Sequence, residues 1–278
     1  MGDATLPFCE GFGNCTEDYT APFGNREASL SAALTRRGFD THVLPMERGD
    51  WFNVAWALLT WQFWAGCCTA DQGYLWYLRR VDAEVERVRA ATGAPAVQLV
   101  GHSAGGWLAR AFLGDDRFGA ARTGAVRMLV TLGTPHLAPP PGAPDMTRGT
   151  LTWLNAAFPG AFYAGSLSYT SVVGRAARGD PTAENVPGRR SLPGYASSSY
   201  SQLLGPEGAT ADGDCVVPCA CAALPGSAVV RLDGVFHSMS RVGTFDEDSG
   251  IPWYGSEAVV DNWAGALLAE LPAASSVV

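Results

Sequence analysis

The sequence predicts an α/β fold in which a mostly parallel central sheet carries helices on both faces. Strand-like apolar runs alternate along the chain with segments of helical periodicity, which is the pattern of a parallel sheet. The run 96–100 (AVQLV) is mostly apolar, as expected for a strand that helices cover on both sides. With 278 residues, 47% of them hydrophobic, the chain can form one large domain over 1–278.

In the first third of the chain, a short apolar run predicts a strand at 4–8. The segment 25–38 is predicted to be helical, because leucines recur four residues apart and a glycine follows the last turn. The run 41–44 is a predicted strand, which Pro45 stops. The segment 74–93 is the most regular helix, since one side of it carries Leu78, Val81, Val85 and Val88.

The strand 96–100 leads almost directly into a predicted helix at 104–114, and a final amphipathic helix is predicted at 256–272. Apolar runs predict three further strands at 125–133, 169–174 and 227–232. Two irregular stretches, 137–168 and 175–213, are rich in proline, glycine or serine. Long irregular inserts in a compact fold are usually functional. We therefore expect both stretches to be cap or lid insertions above the sheet, not separate domains.

Composition excludes several classes of function. The net charge of −8 leaves no basic stripe to neutralise phosphates, so nucleic acid is not an expected partner. The pairs Arg36-Arg37 and Arg189-Arg190 are interpreted as solvated surface. The seven cysteines are odd in number and form no paired CxxC units, so we expect reduced thiols and neither a metal site nor an organic cofactor.

The segment 51–68 is the only one with the apolar character of a membrane segment. It spans at most 18 residues and includes Asn53 and Gln62, so it is marginal as a transmembrane helix. A buried helix or a surface that contacts lipid is expected instead. The first fourteen residues have the features of neither a signal peptide nor a transit peptide.

A serine between two glycines follows the strand 96–100, in the motif GHSAG. A chain that turns at once from strand to helix needs room, and Gly101 and Gly105 provide it because they carry no side chain. Such a bend lifts the hydroxyl of Ser103 above the edge of the sheet. The motif at this position therefore predicts a nucleophile elbow, with Ser103 as the nucleophile.

A serine nucleophile needs a base, and the chain has four histidines. His42 is expected to be structural, and His102 to pack with its ring away from Ser103. His136 follows a strand, so it can line the site or brace the cap. His237 lies between the last strand and the last helix, where this topology delivers its base, and it is the predicted base.

The acid of such a site falls between the serine and the histidine in the chain. Asp214 is the best candidate, because a short polar turn leads from it into the apolar run VVP. Asp212 is the second candidate and Asp180 the third. The acid would hold the imidazole in one tautomer and stabilise its charged form.

Two backbone amides are expected to bind the oxyanion. The amide of Ala104 begins the helix after the nucleophile, and the amide of Phe12 lies in the loop after the first strand. In that loop Gly11 and Gly13 allow the backbone to approach the substrate closely.

Aromatic residues are plentiful where the mouth of the site is expected, and Trp51, Trp153 and His136 are candidate substrate-binding residues. The same aromatics include Trp56, Trp61, Trp64, Phe158 and Phe162. They can cover an acyl chain, dip into a lipid interface, or simply pack the cap against the core.

Several stretches together resemble a group of plant and algal lipase-like α/β-hydrolase proteins. They are GHSAGGWLAR, TLGTPHLAPPPGAPDMTRG, GDCVVP, LDGVFHS and PWYGS. More distantly, the chain is similar to GPI inositol-deacylases and bacterial triacylglycerol lipases. The resemblance runs from Leu6 to Leu268, and it implies Ser103, Asp214 and His237 as the triad. Two departures stand out: Phe-Cys-Glu precedes Gly11, and Cys215 stands where the family commonly has glycine.

Taken together, the residues and the resemblance predict a serine ester hydrolase that cleaves acyl esters, with lipid esters suggested mainly by the resemblance. An acyltransferase that uses the same acyl-enzyme is one alternative, and a non-catalytic binding module of the same fold is another. The resemblance also implies a plastid location, although no targeting segment is visible in the sequence.

Overall fold

Six strands form one sheet in a computed structural model, which describes residues 5–118, 124–183, 191–245 and 247–268. The strands are β1 (Thr5–Cys9), β2 (Asp40–Val43), β3 (Val97–His102), β4 (Val126–Leu132), β5 (Ser168–Arg175) and β8 (Ala228–Asp233). They lie in the order β2-β1-β3-β4-β5-β8, and all five neighbouring pairs are parallel. The mostly parallel sheet predicted from the sequence is confirmed. Two short strands, β6 (Ala177–Arg178) and β7 (Asp212–Gly213), pair antiparallel outside it.

The helices within the described residues range from one turn to five. They are α1 (Thr16–Thr20), α2 (Leu30–Arg36), α3 (Trp61–Ala65), α4 (Ala70–Gly73), α5 (Leu75–Thr92), α6 (Ala104–Gly114), α7 (Thr150–Ala157), α8 (Leu192–Leu204), α9 (Cys219–Ala222) and α10 (Glu257–Val260). Short 3₁₀ helices cover Pro22–Gly24, Arg48–Leu59, Gly205–Thr210 and Ala264–Leu268. Helix α5 matches its predicted bounds closely and ends at Gly93, which has the left-handed backbone of a helix cap.

Two predicted helices differ from the structure. The helix predicted at 25–38 begins only at Leu30, because the Ser29 side chain accepts the Ala32 amide and caps the helix there. The final helix, predicted over 256–272, breaks into α10 and the 3₁₀ helix Ala264–Leu268. Between them the amides of Asn262 and Trp263 donate to carbonyl oxygens three residues back, as in a 3₁₀ turn, and the side chains of Val260 and Trp263 stay buried. Residues 269–272 lie outside the described part of the chain.

Helices cover both faces of the sheet, and a buried core lies on each side. On one face, the valines and leucines of α5 and α6 pack on β3 and β4 through residues such as Val97, Leu99 and Leu129. On the other, α2 and the C-terminal helices pack on Val100, Met128 and Val130. Alternate residues of β3 thus enter opposite cores, which explains why the strand is apolar almost throughout.

The pair Arg36-Arg37 is not simply solvated surface, as its composition alone indicated. Arg37 lies 2.7 Å from carboxylate oxygens of Glu257 and Asp261, and Arg36 also pairs with Glu257. These ion pairs join α2 to α10 across one face of the sheet. The second basic pair, Arg189-Arg190, lies outside the described residues.

The two irregular stretches leave the sheet at the carboxyl ends of β4 and β5. The first holds α7, and the described part of the second holds β6, α8 and β7. Side chains from both stretches line a cavity that also contains Ser103. The expected single domain with cap insertions stays a prediction, but this placement agrees with a cap over the site.

Candidate active site

Ser103 occupies the sharp turn between β3 and α6, and its backbone is strained. Its φ of 52° and ψ of −126° lie in a region that residues with a side chain rarely adopt. The turn is possible only because glycines flank it. A Cβ on Gly101 would lie 2.5 Å from the Gly106 Cα, and one on Gly105 would collide with the Cys9 carbonyl oxygen. The structure thus has the strand, turn and helix expected of a nucleophile elbow.

His237 follows β8 and reaches the same edge of the sheet as Ser103. Its Nδ1 lies 2.8 Å from Oδ2 of Asp214, and its backbone amide donates to the Asp214 carbonyl oxygen at 2.9 Å. Both side chains are almost completely buried. Because the carboxylate can only accept, Nδ1 of the neutral ring carries the hydrogen. The lone pair of Nε2 therefore stays available for a proton.

The Asp214 carboxylate is held by four hydrogen bonds. Its Oδ1 accepts the backbone amides of Val216 at 3.0 Å and Val217 at 2.7 Å. Its Oδ2 accepts the hydroxyl of Tyr254 at 2.8 Å in addition to the His237 ring. Four donors satisfy a fully buried carboxylate and fix its orientation, which in turn fixes the imidazole.

Two glycines at the ends of neighbouring strands leave space for this carboxylate. A Cβ on Gly133, just after β4, would lie 2.5 Å from Asp214 Oδ2. A Cβ on Gly174, in β5, would lie 2.8 Å from the Tyr254 hydroxyl oxygen. Any side chain at either position would displace Asp214 or Tyr254. The other two candidates lie elsewhere: Asp212 is exposed in β7, and Asp180 accepts from Thr182 at the surface.

Ser103 makes no hydrogen bond to His237 among the described residues. The preceding residue, His102, makes the link: its Nε2 lies 2.8 Å from the His237 carbonyl oxygen, and the two imidazole rings are 4.7 Å apart. Hydrogen bonds between nucleophile and base are often long before substrate binds and shorten in the reactive complex. The structure thus brings Asp214 and His237 together, and the bond between His102 and the His237 carbonyl oxygen ties the residue before Ser103 to this pair.

The two expected oxyanion donors belong to the residue after Ser103 and to a loop that approaches Ser103. The Ala104 amide is the first of α6, where helix amides have no partner within the helix, and neither it nor the Phe12 amide has an acceptor among the described residues. The loop carrying Phe12 approaches closely, since a Cβ on Gly11 would lie 2.8 Å from Ser103 Cβ. Gly13 has a φ of 77°, which favours glycine and turns the loop back toward α1.

The three other candidates support the loops around the site. Trp51 is buried, its ring lies 4.9 Å from that of Phe12, and its indole donates to the Asn14 carbonyl oxygen at 2.8 Å. Trp153 is half-buried on α7 and packs edge-on against Phe158. Neither tryptophan lines the cavity beside Ser103.

His136 is buried and braces the cap. Its Nε2 lies 3.1 Å from the Thr131 hydroxyl, and its carbonyl oxygen accepts the side-chain amide of Asn155, which lies on α7. Arg110, on α6, donates to Asn155 at 3.0 Å. Burial lowers the pKa of His136 well below its usual range and that of Arg110 to about 10. His136 thus has a supporting position and makes no contact with Ser103 or the Asp214–His237 pair.

A cavity of about 200 Å³ opens beside Ser103 between the two irregular stretches. Its walls are mostly apolar and include Trp107, Met146, Leu151, Leu203, Val216 and Val217. Trp107 lies one turn along α6 from Ser103, and Val216 and Val217 follow Asp214 after one intervening residue, Cys215. The cavity can therefore hold an apolar group attached to a carbonyl at Ser103.

Two tyrosines that sequence reasoning did not select belong to the site. Tyr254 donates to Asp214, and Tyr19 lies 2.8 Å from His102 Nδ1. Tyr254 belongs to the stretch PWYGS, which is one of the stretches that resemble the family. The sequence therefore singled out this stretch, but it did not indicate that Tyr254 contacts Asp214. Tyr19 lies in an ordinary short helix, and nothing in its sequence context indicates a contact 83 residues away.

Comparisons with known proteins agree with this architecture. The profile of the PGAP1-like alpha/beta domain matches residues 79–153, which include the elbow. No curated protein sequence matches the chain. Among solved structures, the mature Bacillus licheniformis lipase BlEst2 superposes with a TM-score of 0.55 at 14% identity, covering 96% of this chain and 92% of the lipase.

Two further structures are similar to the same extent. The metagenomic carboxyl esterase MGS0156 has a TM-score of 0.56 at 14% identity, over 96% of this chain and 76% of the esterase. The phospholipase PlaB from Legionella pneumophila has a TM-score of 0.55 at 13% identity, over 97% of this chain and 61% of the phospholipase. Identities this low establish the fold and not the substrate. The chain therefore has the fold of a lipase-like α/β-hydrolase.

Proposed function

We propose that this protein is a serine ester hydrolase in which Ser103, His237 and Asp214 form the catalytic triad. The observation that carries the proposal is the buried pair of Asp214 and His237, 2.8 Å apart, together with a serine in a strained strand-to-helix turn whose preceding residue, His102, bonds the His237 carbonyl oxygen. A strained backbone costs stability, so it indicates a position kept for its function. No other described aspartate or glutamate is hydrogen-bonded to His237.

Acyl transfer to Ser103 follows from this arrangement. As Ser103 Oγ attacks the ester carbonyl carbon, Nε2 of His237 takes the hydroxyl proton and Asp214 stabilises the resulting imidazolium. The amides of Ala104 and Phe12 bind the oxygen on which negative charge develops, each contributing on the order of 3 kcal/mol. Collapse of this intermediate breaks the bond to the alcohol oxygen, which takes the proton from His237 as it leaves.

The second half of the reaction repeats the first with water. His237 takes a proton from the attacking water, whose oxygen bonds to the acyl carbon of the acyl-enzyme. When the new intermediate collapses, Ser103 Oγ leaves and regains its proton from His237. The net reaction consumes one ester and one water and yields one acid and one alcohol. An alcohol in place of water would make the same site an acyltransferase.

An apolar acyl group fits the cavity beside Ser103, which supports lipid esters as the substrate class. Its apolar walls match a hydrocarbon chain, and Asp145 is the only charged residue that lines it within the described residues. The Asp145 carboxylate is engaged by the amides of Thr147 and Gly149 and by the Thr147 hydroxyl. The charge of Asp145 is therefore used in hydrogen bonds within its own loop, and the cavity remains suited to apolar groups.

Labelling with a fluorophosphonate tests the proposal directly, because the reagent reacts only with an activated serine. We expect one label on the purified protein, located at Ser103 by peptide mass spectrometry, and none on Ser103→Ala. Ser103→Ala is also expected to abolish hydrolysis of p-nitrophenyl esters with the fold intact. An unlabelled wild-type protein, or full activity of Ser103→Ala, would refute the assignment.

Substrates of graded length separate lipid esters from small ones. Across p-nitrophenyl acetate to palmitate we expect kcat/KM to rise beyond acetate, and a strict preference for acetate would contradict the lipid assignment. Product analysis with and without added alcohols distinguishes hydrolysis from acyl transfer. A plastid location stays a proposal from the resemblance.

We also propose that the segment 48–65 contacts lipid peripherally. Five of its large apolar side chains are between 66% and 82% exposed: Phe52, Trp56, Leu59, Trp61 and Trp64. Positions 51–70 contain no charged residue. Exposed apolar surface without charge is unusual on a monomer, and tryptophan is favoured at the boundary of water and lipid. The described residues include no helix long and apolar enough to span a bilayer.

The position of this segment connects it with the site. Trp51 packs under Phe12 of the oxyanion loop, and the Cys68 amide donates to the Arg148 carbonyl oxygen at 2.8 Å, next to the loop that lines the cavity. A lipid surface against the segment would therefore lie close to the entrance to Ser103.

Sedimentation with phosphatidylcholine vesicles tests the contact. We expect the wild-type protein to pellet with vesicles and the double variant Trp61→Ser/Trp64→Ser to stay in the supernatant. Phe23→Ser removes an exposed aromatic outside the segment and should bind as the wild type does. Equal binding of all three proteins would exclude the segment as the contact.

A further inference from the structure

One buried chain of hydrogen bonds joins the oxyanion loop to the catalytic base. The hydroxyl of Tyr19 lies at its centre, and Tyr19 is fully buried. It is 3.2 Å from the backbone nitrogen of Gly11, 2.7 Å from Nδ2 of Asn14 and 2.8 Å from Nδ1 of His102. From His102 the chain continues through Nε2 to the carbonyl oxygen of His237, at 2.8 Å.

The two ends of this chain of hydrogen bonds are the His237 carbonyl oxygen and the Gly11 amide. Together they determine the direction of every hydrogen bond between them. A backbone carbonyl can only accept, so Nε2 of His102 carries a hydrogen and donates it to His237. A neutral imidazole then accepts at Nδ1, and the Tyr19 hydroxyl must be the donor. The phenol keeps two lone pairs, which accept the Gly11 amide and the Asn14 side chain. At the other end the Gly11 amide can only donate, so the Tyr19 oxygen accepts there and its own hydrogen goes to His102. The Gly11 amide and the His237 carbonyl therefore require the same set of hydrogen-bond directions.

The buried surroundings favour this neutral state. Burial and the neighbouring His237 ring hold the pKa of His102 well below its usual range. Burial likewise raises the pKa of Tyr19 well above its usual range, so the phenol keeps its proton. His102 therefore accepts from Tyr19 and donates to His237 throughout the pH range in which esterases work.

This chain of hydrogen bonds connects three segments that are distant in sequence. Gly11 precedes Phe12, the proposed oxyanion donor; His102 precedes Ser103; and His237 is the proposed base. We infer that Tyr19 and His102 are positioning residues, which together set the Phe12 amide and the His237 ring relative to Ser103. This inference rests on the proposed function, since it assigns these two residues to the same reaction.

The inference goes further than packing of His102, the role expected from the sequence. Packing alone would require a ring of the right shape, and phenylalanine would supply it. A positioning role requires both ring nitrogens of His102. Nδ1 accepts the hydrogen bond from Tyr19, and Nε2 donates to the His237 carbonyl oxygen. The two explanations therefore differ in what they predict for variants that keep the ring and lose the polar atoms.

Steady-state kinetics of Tyr19→Phe tests the inference. The ring keeps its contacts with Phe8, Phe245 and Trp253, while the hydroxyl disappears. Misplacement of a reacting group by about 1 Å costs on the order of 100-fold, so we expect kcat for p-nitrophenyl butyrate to fall about 100-fold. KM should stay within about twofold, because the acyl cavity is unchanged. Tyr169→Phe removes a buried hydroxyl whose only hydrogen bond among the described residues comes from the Tyr163 amide, and it should keep full activity.

A double-mutant cycle separates positioning from a general loss of structure. His102→Phe should lower kcat as much as Tyr19→Phe, and the double variant should lose little more than either single variant, because each breaks the same chain. Two independent structural defects would instead multiply their effects. Circular dichroism and thermal unfolding confirm that each variant folds, and Tyr19→Phe alone keeps the test valid if His102→Phe does not.

The ¹⁵N chemical shifts of the His102 ring provide a readout that does not depend on activity. We expect the tautomer with hydrogen on Nε2 in the wild type; in Tyr19→Phe the hydrogen should stay on Nε2, and the Nδ1 resonance should shift because its lone pair loses the hydrogen bond from Tyr19. A charged ring, or hydrogen on Nδ1, overturns the chain of hydrogen bonds itself. Undiminished kcat in Tyr19→Phe, with wild-type protein that fluorophosphonate labels, overturns only the positioning role. A wild-type protein that is not labelled counts against the proposed function instead.

Discussion

The hydroxyl of Tyr254 lies 2.8 Å from Oδ2 of Asp214, the same oxygen that faces the His237 ring. The hydroxyl also accepts the Gly174 amide at 2.8 Å. Burial and the nearby carboxylate raise the pKa of Tyr254 well above its usual range, so the phenol stays protonated and donates to Asp214. The Asp214 carboxylate is thus oriented from two sides, by Tyr254 and by the amides of Val216 and Val217.

Removing this hydroxyl in Tyr254→Phe is expected to lower stability and, more modestly, activity. The Gly174 amide would lose its acceptor in a dry site, which costs about 1–3 kcal/mol. Asp214 would keep the two amides at Oδ1 and the His237 ring, so kcat should fall less than in Asp214→Asn. Urea unfolding and hydrolysis of p-nitrophenyl butyrate measure the two effects. A kcat loss as large as that of Asp214→Asn would contradict this ranking.

Replacing Asp214 by asparagine should abolish most activity. Oδ1 of the asparagine would still accept the Val216 and Val217 amides, which turns the side-chain NH₂ group toward His237 Nδ1. The imidazole would then carry its hydrogen on Nε2 and could not accept a proton from Ser103. We expect kcat to fall by about 10⁴-fold.

Asp212→Asn is the matched control, because Asp212 is exposed and has no contact with His237 in the described structure. Its kcat should stay close to the wild-type value. The opposite ranking of the two variants would transfer the role of the acid to Asp212.

Glu10 is a buried carboxyl that makes stability depend on pH. It is fully buried at the end of β1, and neither carboxyl oxygen has a hydrogen-bond partner. Burial raises the pKa of Glu10 well above its usual range. The folded state therefore keeps a proton that the unfolded chain releases above its pKa of about 4.3. Stability from this group is full below that pH and is lost as the pH rises toward the folded pKa.

Glu10→Gln should remove this dependence, since the amide does not ionise. Relative to the variant, the wild-type protein should lose about 1.4 kcal/mol for each pH unit between the two pKa values of Glu10. Urea unfolding from pH 5 to pH 8 measures the difference. Glu17→Gln changes an exposed carboxyl of α1 and should leave the pH dependence as it is. Parallel curves for wild type and Glu10→Gln would show that the carboxyl does not cause the dependence.

Cys215 stands where the resembling family commonly has glycine, and its backbone explains why. Its φ is 85°, in the left-handed region, although its side chain is buried. A residue with a Cβ pays about 1–2 kcal/mol there, and glycine does not. We therefore expect Cys215→Gly to be more stable than Cys215→Ala by about 1 kcal/mol. Both variants lose the thiol, so the comparison isolates the backbone. Equal stability in urea unfolding would count against strain at this position.

Much of the candidate site was predictable, because it depends on the order of residues along the chain and on the residues next to each of them. The order Ser103, Asp214, His237 and the glycines around the serine belong to the linear sequence, and the structure places the acid and base side by side. The roles of Tyr19 and Tyr254 were not predictable, because a buried tyrosine looks the same in sequence whether its hydroxyl serves the site or the core. The break in the C-terminal helix also escaped prediction, because an amphipathic pattern does not distinguish α-helical bonds from the 3₁₀-type bonds that Asn262 and Trp263 make.

The sequence by itself determined the alternation of strands and helices, the elbow at Ser103 and the most plausible acid and base, since these depend on local periodicity and on order along the chain. Only the tertiary structure decided which side chains share one hydrogen bond, such as Tyr19 with His102. It also decided that most of the large apolar side chains of the segment 48–65 are exposed, whereas Trp51 is buried. Hydropathy indicates how many apolar side chains a segment has, whereas the packing of the whole chain determines which of those side chains are exposed to water.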